Sequence, residues 1–456
     1  MDSIDVLVVG EDARTNMLCL KLAESPLLRK LYCFRGNAGT AQVAENIVLR
    51  TDRKDTFEDQ VVKLAAALGV GLVVVGPEDP LINGVADKLL TVGIPTFGPR
   101  AKAAFKTEGS KVESDRLARR RGVPRPKAWV ARSMADVERC LAENGNQPVV
   151  VKPDKPTGGK GVTVPKTVEE VWAAAFACLE EGAFNNAGRV VLLEELLEGP
   201  EVSVFVFTDG RRVSRPFSAR DRKLRFAERE KREHNPNTGG MRAIAPAPFW
   251  NLGLEEEIME TIMRPMVAEL LWQDAMYRGV LYAGIILTPE GPKVLEFNCR
   301  FGDPEAQAIL PLLKSDLLEV MLACAQGNLH KMQVEWDYER WCIAINLVDE
   351  AYPGQPQNGG RITGLEAEQE GTFVLHYGTT LLECADGRKS YRLNGSGRRI
   401  SVGGIGGTRE EAILRATYRV AGETPIEFPG LVWRQDVEIE EEGLPGELLE
   451  RYSYVA

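Results

Sequence analysis

Short apolar runs that stop at a glycine constrain this chain most. Ile4-Asp5-Val6-Leu7-Val8-Val9 runs into Gly10, and Leu72-Val73-Val74-Val75 closes on Gly76-Pro77. Such runs suit strands covered on both faces, and helix-compatible stretches from Thr15 to Ala23 and from Thr56 to Leu68 separate them. The alternation predicts a small parallel α/β unit to about Gly98-Pro99, with ligands at the glycine-bearing carboxyl ends of its strands.

At 456 residues the chain has room for two further units. Pro148-Val149-Val150-Val151-Lys152 reads as a buried strand leading into Thr157-Gly158-Gly159-Lys160-Gly161, where the glycines let backbone amides and one lysine approach a phosphate. The runs 281–287 and 293–298 flank Thr288-Pro289-Glu290-Gly291 and predict an antiparallel hairpin. A last region is expected from near Gln333, with strands at 341–348 and 372–376, a glycine turn at Gly403-Gly404-Ile405-Gly406-Gly407 and a helix from Arg409 to Val420.

Composition narrows the function. A net charge of −10 is the wrong sign for broad neutralisation of nucleic acid, so any phosphate site must be local. Eight cysteines without CxxC spacing and only three histidines support neither a zinc site nor a disulfide framework. With no membrane-length apolar window and no basic leader, the expectation is a soluble cytoplasmic protein, monomeric or homodimeric, without a nucleic-acid or membrane partner.

Period-two alternation places Glu296 and Asn298 on one strand face, with Arg300 in the same parity. A carboxylate and an amide oxygen about 7 Å apart suit a hard cation such as Mg²⁺ that shares its shell with nucleotide phosphates. Taken alone, the tripeptide fits a solvated edge strand better. The Lys160 loop matches neither GxxxxGK[ST] nor GxGxxG, and Gly10-Glu11-Asp12-Ala13 lacks a dinucleotide fingerprint, which disfavours a Rossmann dehydrogenase.

Together, however, these segments resemble one family, phosphoribosylamine-glycine ligase of the ATP-grasp superfamily, over nearly the whole chain. The most specific match is Glu296-Phe297-Asn298-Cys299-Arg300-Phe301-Gly302-Asp303-Pro304-Glu305. Pro236-Asn237-Thr238-Gly239-Gly240-Met241, Gly36-Asn37-Ala38-Gly39-Thr40, Val75-Gly76-Pro77-Glu78, Phe97-Gly98-Pro99, Glu108-Gly109-Ser110-Lys111, Leu281-Tyr282-Ala283-Gly284 and Lys314-Ser315-Asp316-Leu317 are also similar, in the family's order.

The resemblance implies a multidomain α/β and α+β protein: an N-terminal α/β domain (1–104), a two-lobed ATP-grasp body (105–332, small lobe about 125–194) and a C-terminal α/β domain (333–456). It implies ATP and Mg²⁺ (or Mn²⁺) as cofactors, with Glu296 and Asn298 on the metal. Lys111, Lys152 and Lys160 would contact phosphates, Glu194, Glu195 and Leu197 would meet adenine at a hinge, and Glu201 the ribose. Arg300 and Lys160 would serve the chemistry. Gly10, Asn37, Asp221, Asn237, Thr238, Gly239, Gly240, Arg242, Arg300 and Asp303 would line the substrate side. The implied reaction activates a carboxylate as an acyl phosphate that an amine then attacks.

The departures cluster on the amine side. The family's Gly-x-Gly-Gly-Arg-Glu-His is here Gly10-Glu11-Asp12-Ala13-Arg14-Thr15-Asn16, Asp221-Arg222-Lys223 stands where the family has Asp-His-Lys-Arg, and Arg242 replaces a glycine. Arg222, Arg225 and Arg242 are candidates to recruit a different anion. Two alternatives follow: a paralogue joining another amino acid and amine, and a catalytically silent nucleotide-binding scaffold.

Overall fold

The computed structural model describes residues 3–49, 55–157, 161–227, 235–383, 389–395, 397–436 and 448. The N-terminal sheet is wholly parallel, as expected, in the order β3-β2-β1-β4-β5: β1 (Ile4–Gly10), β2 (Leu28–Arg35), β3 (Glu45–Ile47), β4 (Leu72–Val75) and β5 (Thr96–Phe97). Alternation along β1 divides it between two cores. Leu7 and Val9 pack in one with Leu281 and Phe297, while Val6 and Val8 enter another with Phe205 and Leu310. The first helix, α1 (Ala13–Ala23), starts two residues before its expected position because the Asp12 carboxylate accepts the Thr15 N–H at 2.7 Å. The second, α2 (Phe57–Leu68), opens on a capping box between Thr56 and Asp59.

A small lobe is built on the antiparallel sheet β6-β8-β7, comprising β6 (Ala128–Ala131), β7 (Val149–Pro153) and β8 (Val191–Glu195). It has its own core, including Val137, Val151, Val171 and Leu193. Gly158, Gly159 and Lys160 lie outside the described residues.

The remaining strands are β9 (Glu201–Thr208), β10 (Phe217–Leu224), β11 (Asn237–Ala245), β12 (Gly279–Thr288), β13 (Gly291–Asn298), β14 (Trp341–Asp349), β15 (Arg361–Ile362), β16 (Thr372–His376), β17 (Thr379–Glu383), β18 (Lys389–Leu393), β19 (Arg398–Gly406) and β20 (Leu431–Val432). One antiparallel sheet runs β13-β12-β9-β10-β11-β14-β19-β16, with β20 beside β14, and β15-β18-β17 form a small separate sheet. After residue 333, β14, β16, β19 and β20 therefore extend the large sheet, joined to it through four β11–β14 pairs, Arg242↔Ile345 to Ala245↔Cys342. The expected hairpin is β12–β13, closed at Thr288↔Gly291. Its ladder jumps from Ile285↔Val294 to Gly284↔Glu296, leaving Leu295 as a bulge.

One expectation is corrected. Gly403 to Gly406 belong to β19 instead of a turn. Glycine is required there by close approach: a Cβ on Gly403 would lie 1.9 Å from Phe373 Cζ, and one on Gly404 would lie 2.3 Å from the Ala412 carbonyl oxygen of the helix Arg409–Ala421. Gly404→Val should lower stability by about 1–3 kcal/mol through overpacking, read as a lower urea midpoint with an unchanged slope.

Candidate active site

A cavity of about 2190 Å³ opens where the carboxyl ends of β1, β2 and β4 face the small lobe on one side and the large sheet on the other. Gly10, Asn37, Lys111, Lys152, Glu194, Glu195, Leu197, Glu201, Asp221, Asn237, Thr238, Gly239, Glu296, Asn298, Arg300 and Asp303 all line it. Gly240 and Arg242 do not, and Lys160 lies outside the described residues.

On the small-lobe side, Lys152 of β7 donates to Glu194 of β8 at 2.5 Å, both side chains being buried. The bulge at Leu295 frees a carbonyl from the β12–β13 ladder. Lys152 Nζ approaches that oxygen at 3.2 Å and Arg125 Nη2 at 3.4 Å. Arg125 also lies 3.6 Å from Glu194, so this carboxylate is flanked by two cations, as a buried charge requires. Lys111 opens the helix Lys111–Arg120, whose start is tied to the small lobe by Asp154: its Oδ1 accepts from Ser110 Oγ at 2.7 Å and from the Val112 N–H at 3.0 Å. Burial, with Lys152 nearby, holds the Lys111 ammonium below its ordinary pKa.

In the centre, burial alone would raise the Glu296 carboxyl, but Lys223, Lys152, Lys111 and Arg300 together hold it down at about 2. It is thus ionised at every working pH, yet its nearest ion-pair partner, Lys223, stands 3.8 Å away. Arg300 is fixed by two carboxylates: Nε donates to Glu78 at 3.2 Å and Nη2 to Glu108 at 2.8 Å, with a longer contact of 3.3 Å from Nη2 to Asn298 Oδ1. Glu108 also accepts the Cys299 N–H at 2.8 Å. Burial would raise Glu78, but Arg300 and Arg14 outweigh it and lower its pKa, whereas burial prevails at Glu108 and raises it. Among the described residues the buried Asn298 Nδ2 has no hydrogen-bond partner.

On the opposite side, burial raises Asp221 although Lys223 stands 3.9 Å away. Glu305, also raised chiefly by burial, accepts from Ser203 Oγ at 3.0 Å. Asp303 is held by Gln307 at 2.7 Å, by Arg398 at 2.8 Å and by the Tyr377 hydroxyl. The Gly239 and Gly240 amides are used within the protein: Tyr352 Oη accepts the Gly239 N–H at 2.9 Å and Thr238 Oγ1 accepts the Gly240 N–H at 3.0 Å. Gly240 itself has φ +111°, and a Cβ there would sit 2.3 Å from Pro304 Cδ.

The three arginines noted on the amine side also separate. Arg222 lines the cavity, Arg242 is buried behind the wall, and Arg225 Nε donates to the Tyr352 carbonyl at 2.9 Å. Asn37 borders the cavity while its amide is used within the protein, donating to the His376 carbonyl at 2.6 Å and accepting from the Gly39 and Thr40 N–H groups. Beside Gly10, Asp12 caps α1 with its own carboxylate and pairs with Arg14 at 2.7 Å. Arg125, Arg398 and Tyr377 escaped sequence reasoning because no local pattern marks them. Glu78 and Glu108 stood inside the similar segments but had been given no role.

A split nucleotide-sized cleft between a three-stranded lobe and a large antiparallel sheet, rich in paired lysines and carboxylates, defines an ATP-grasp ligase. Comparison with known proteins supports this. Residues 4–105 match the phosphoribosylglycinamide synthetase N domain and residues 109–306 its ATP-grasp (A) domain. The chain is 36% identical over 432 residues to the phosphoribosylamine--glycine ligase of Caldanaerobacter subterraneus subsp. tengcongensis (95% of this chain, 99% of the relative). It is 40% identical over 421 residues to that of Streptomyces coelicolor (91% and 95%). The chain belongs to the phosphoribosylamine-glycine ligase family. In fold it is similar to the ligase of Thermotoga maritima (TM-score 0.76, 24% identity, 95% of this chain and 99% of that one). It is also similar to the biotin carboxylase domain of Hydrogenobacter thermophilus 2-oxoglutarate carboxylase, solved with MgADP and bicarbonate (TM-score 0.72, 17% identity, 95% and 92%).

His376, whose carbonyl anchors Asn37, is buried, and burial lowers its imidazole pKa to about 4. A depressed histidine favours proton uptake by the unfolded chain. Stability should therefore fall as pH drops from 6.5 towards 4, by up to about 3 kcal/mol from this group. His376→Gln should flatten that slope in unfolding measurements across the same interval.

Proposed function

We propose that the protein joins glycine to phosphoribosylamine, spending ATP to form the amide and releasing ADP and phosphate. The observation that carries this reading is an ionised Glu296 surrounded by Lys111, Lys152, Lys223 and Arg300, whose nearest ion pair among the described residues, with Lys223, is 3.8 Å long. Such a place suits a divalent cation and phosphates together. The donor set fits Mg²⁺: Glu296 and Asn298 offer hard oxygens from adjacent same-face positions, and among the described residues no cluster of three or more His, Cys, Asp or Glu competes as a metal site. When bound there, Mg²⁺ would neutralise phosphate charge.

Lys111 and Lys152 then serve phosphate oxygens, while Glu194, Glu195 and Leu197 meet the base and Glu201 the ribose. Arg300, immobilised by Glu78 and Glu108, presents a fixed cation as the γ-phosphoryl group moves to the glycine carboxylate, so the site needs no reorganisation when charge develops. The acyl phosphate so formed is attacked by the amine, with phosphate leaving. Asp221, Asn237, Thr238, Gly239 and Asp303 line the acceptor end of the cavity. Enclosure protects the acyl phosphate from water. The described cysteines are free and buried, and no described helix is long and apolar enough to cross a membrane, which suits a cytosolic enzyme.

A second reading, ligation to a different amine, is favoured by one observation: the Asp12 carboxylate occupies the α1 terminus beside Gly10, where an anionic substrate group would otherwise find helix amides. ADP release measured with glycine and phosphoribosylamine, then with other amino acids and amines, separates the two readings. Lack of stimulation by phosphoribosylamine would remove the first.

Glu296→Gln should reduce kcat/KM at least about a hundredfold in the same assay, and chelation of divalent cations should abolish turnover.

A further inference from the structure

The strand β11 bulges from its neighbour. Arg222↔Arg242 and Leu224↔Asn237 are consecutive ladder pairs, so residues 238–241 face only Lys223 and cannot use the β10 ladder in full. Their backbone groups need partners elsewhere. For Gly239 and Gly240 these partners come mainly from the C-terminal region. Tyr352 Oη accepts the Gly239 N–H at 2.9 Å, Arg398 Nη1 donates to the Gly239 carbonyl at 2.9 Å, and Asn346 Nδ2 donates to the Gly240 carbonyl at 2.9 Å.

Tyr352 is itself firmly placed. Its N–H donates to the carbonyl of Asp349 at 2.9 Å, and the Asp349 carboxylate lies 3.4 Å from the buried Arg399. Its ring lies against Gly397, where a Cβ would come within 2.7 Å of Cδ2. Its carbonyl accepts Arg225 Nε at 2.9 Å, so one residue holds both the exit of β10 and the bulge of β11.

We infer that Tyr352 is a positioning residue for the acceptor end of the site: it orients the Gly239 peptide and thereby the cavity wall formed by Asn237, Thr238 and Gly239 against the carboxylate substrate. This rests on the ligase reading above, with glycine as the probe. The phenol touches no reacting atom. It acts through a single N–H that would otherwise turn towards or away from the cavity.

Tyr352→Phe removes the hydroxyl and keeps the ring and the carbonyl. The expected result is a glycine KM raised about 2- to 10-fold, the effect of one backbone hydrogen bond, with the KM for ATP unchanged. Hydrogen exchange at the Gly239 amide should speed up about tenfold or more, with the helix Arg409–Ala421 unaffected. Ile413→Val, a loss of core packing far from the wall, should leave both glycine KM and Gly239 exchange as in the parent protein. Unchanged Gly239 exchange in Tyr352→Phe, or an ATP KM that rises in step with that of glycine, overturns the inference. If the parent protein shows no turnover with glycine and phosphoribosylamine, the substrate assignment fails, and the exchange measurement alone decides the role of Tyr352.

Discussion

The guanidinium of Arg300, gripped by Glu78 and Glu108, is the interaction on which the rest of the site depends. Glu78 follows the end of β4, Glu108 precedes the helix bearing Lys111, and Arg300 follows β13, so three separately folded segments meet at one cation. A buried charge without partners would be intolerable, and the two carboxylates share the compensation of this one. The same contact orders the end of β13, because Glu108 also fixes the Cys299 amide and Arg300 touches Asn298. The β13 side of the cavity and the N-terminal sheet are therefore one electrostatic unit.

What could be read from the sequence was local. The parallel strands announced themselves because β1 and β4 are covered on both faces, and the β12–β13 hairpin because its two-residue connection separates alternating runs. Parity placed Glu296 and Asn298 on one face of β13, but alone it fitted a solvated edge strand better, and only the resemblance of the surrounding segments to a family gave the pair a role. The bulge at Leu295 was not legible, and with it went the carbonyl shared by Lys152 and Arg125. Tyr377 and Arg398 reach Asp303, and Tyr352 and Arg398 reach Gly239, through hydrogen bonds that span 74 to 159 residues, which no window of sequence contains. The glycine run at 403–406 shows the converse: the same residues that permit a turn also permit a helix and a phenylalanine ring to press against a flat strand, and only the tertiary neighbours distinguish the two.

The two ends of the cavity differ in how they are built. The end beside the small lobe is assembled from lysines and carboxylates, with Lys152 and Glu194 paired across adjacent strands. The other end is assembled from backbone, from Asp12 turned onto its own helix, and from side chains supplied after residue 340. Substitutions in the C-terminal region can therefore reshape that end without touching the Lys152–Glu194 pair.

The unbroken sheet has a consequence for how this protein can be taken apart. Because β14 zips onto β11, removing the chain after Gln333 would strip β11 of one of its two neighbours and leave a row of unsatisfied amides and carbonyls facing solvent, an invitation to intermolecular pairing. The stretch after Gln333 is thus not a detachable cap, whereas the small lobe has a private sheet and core.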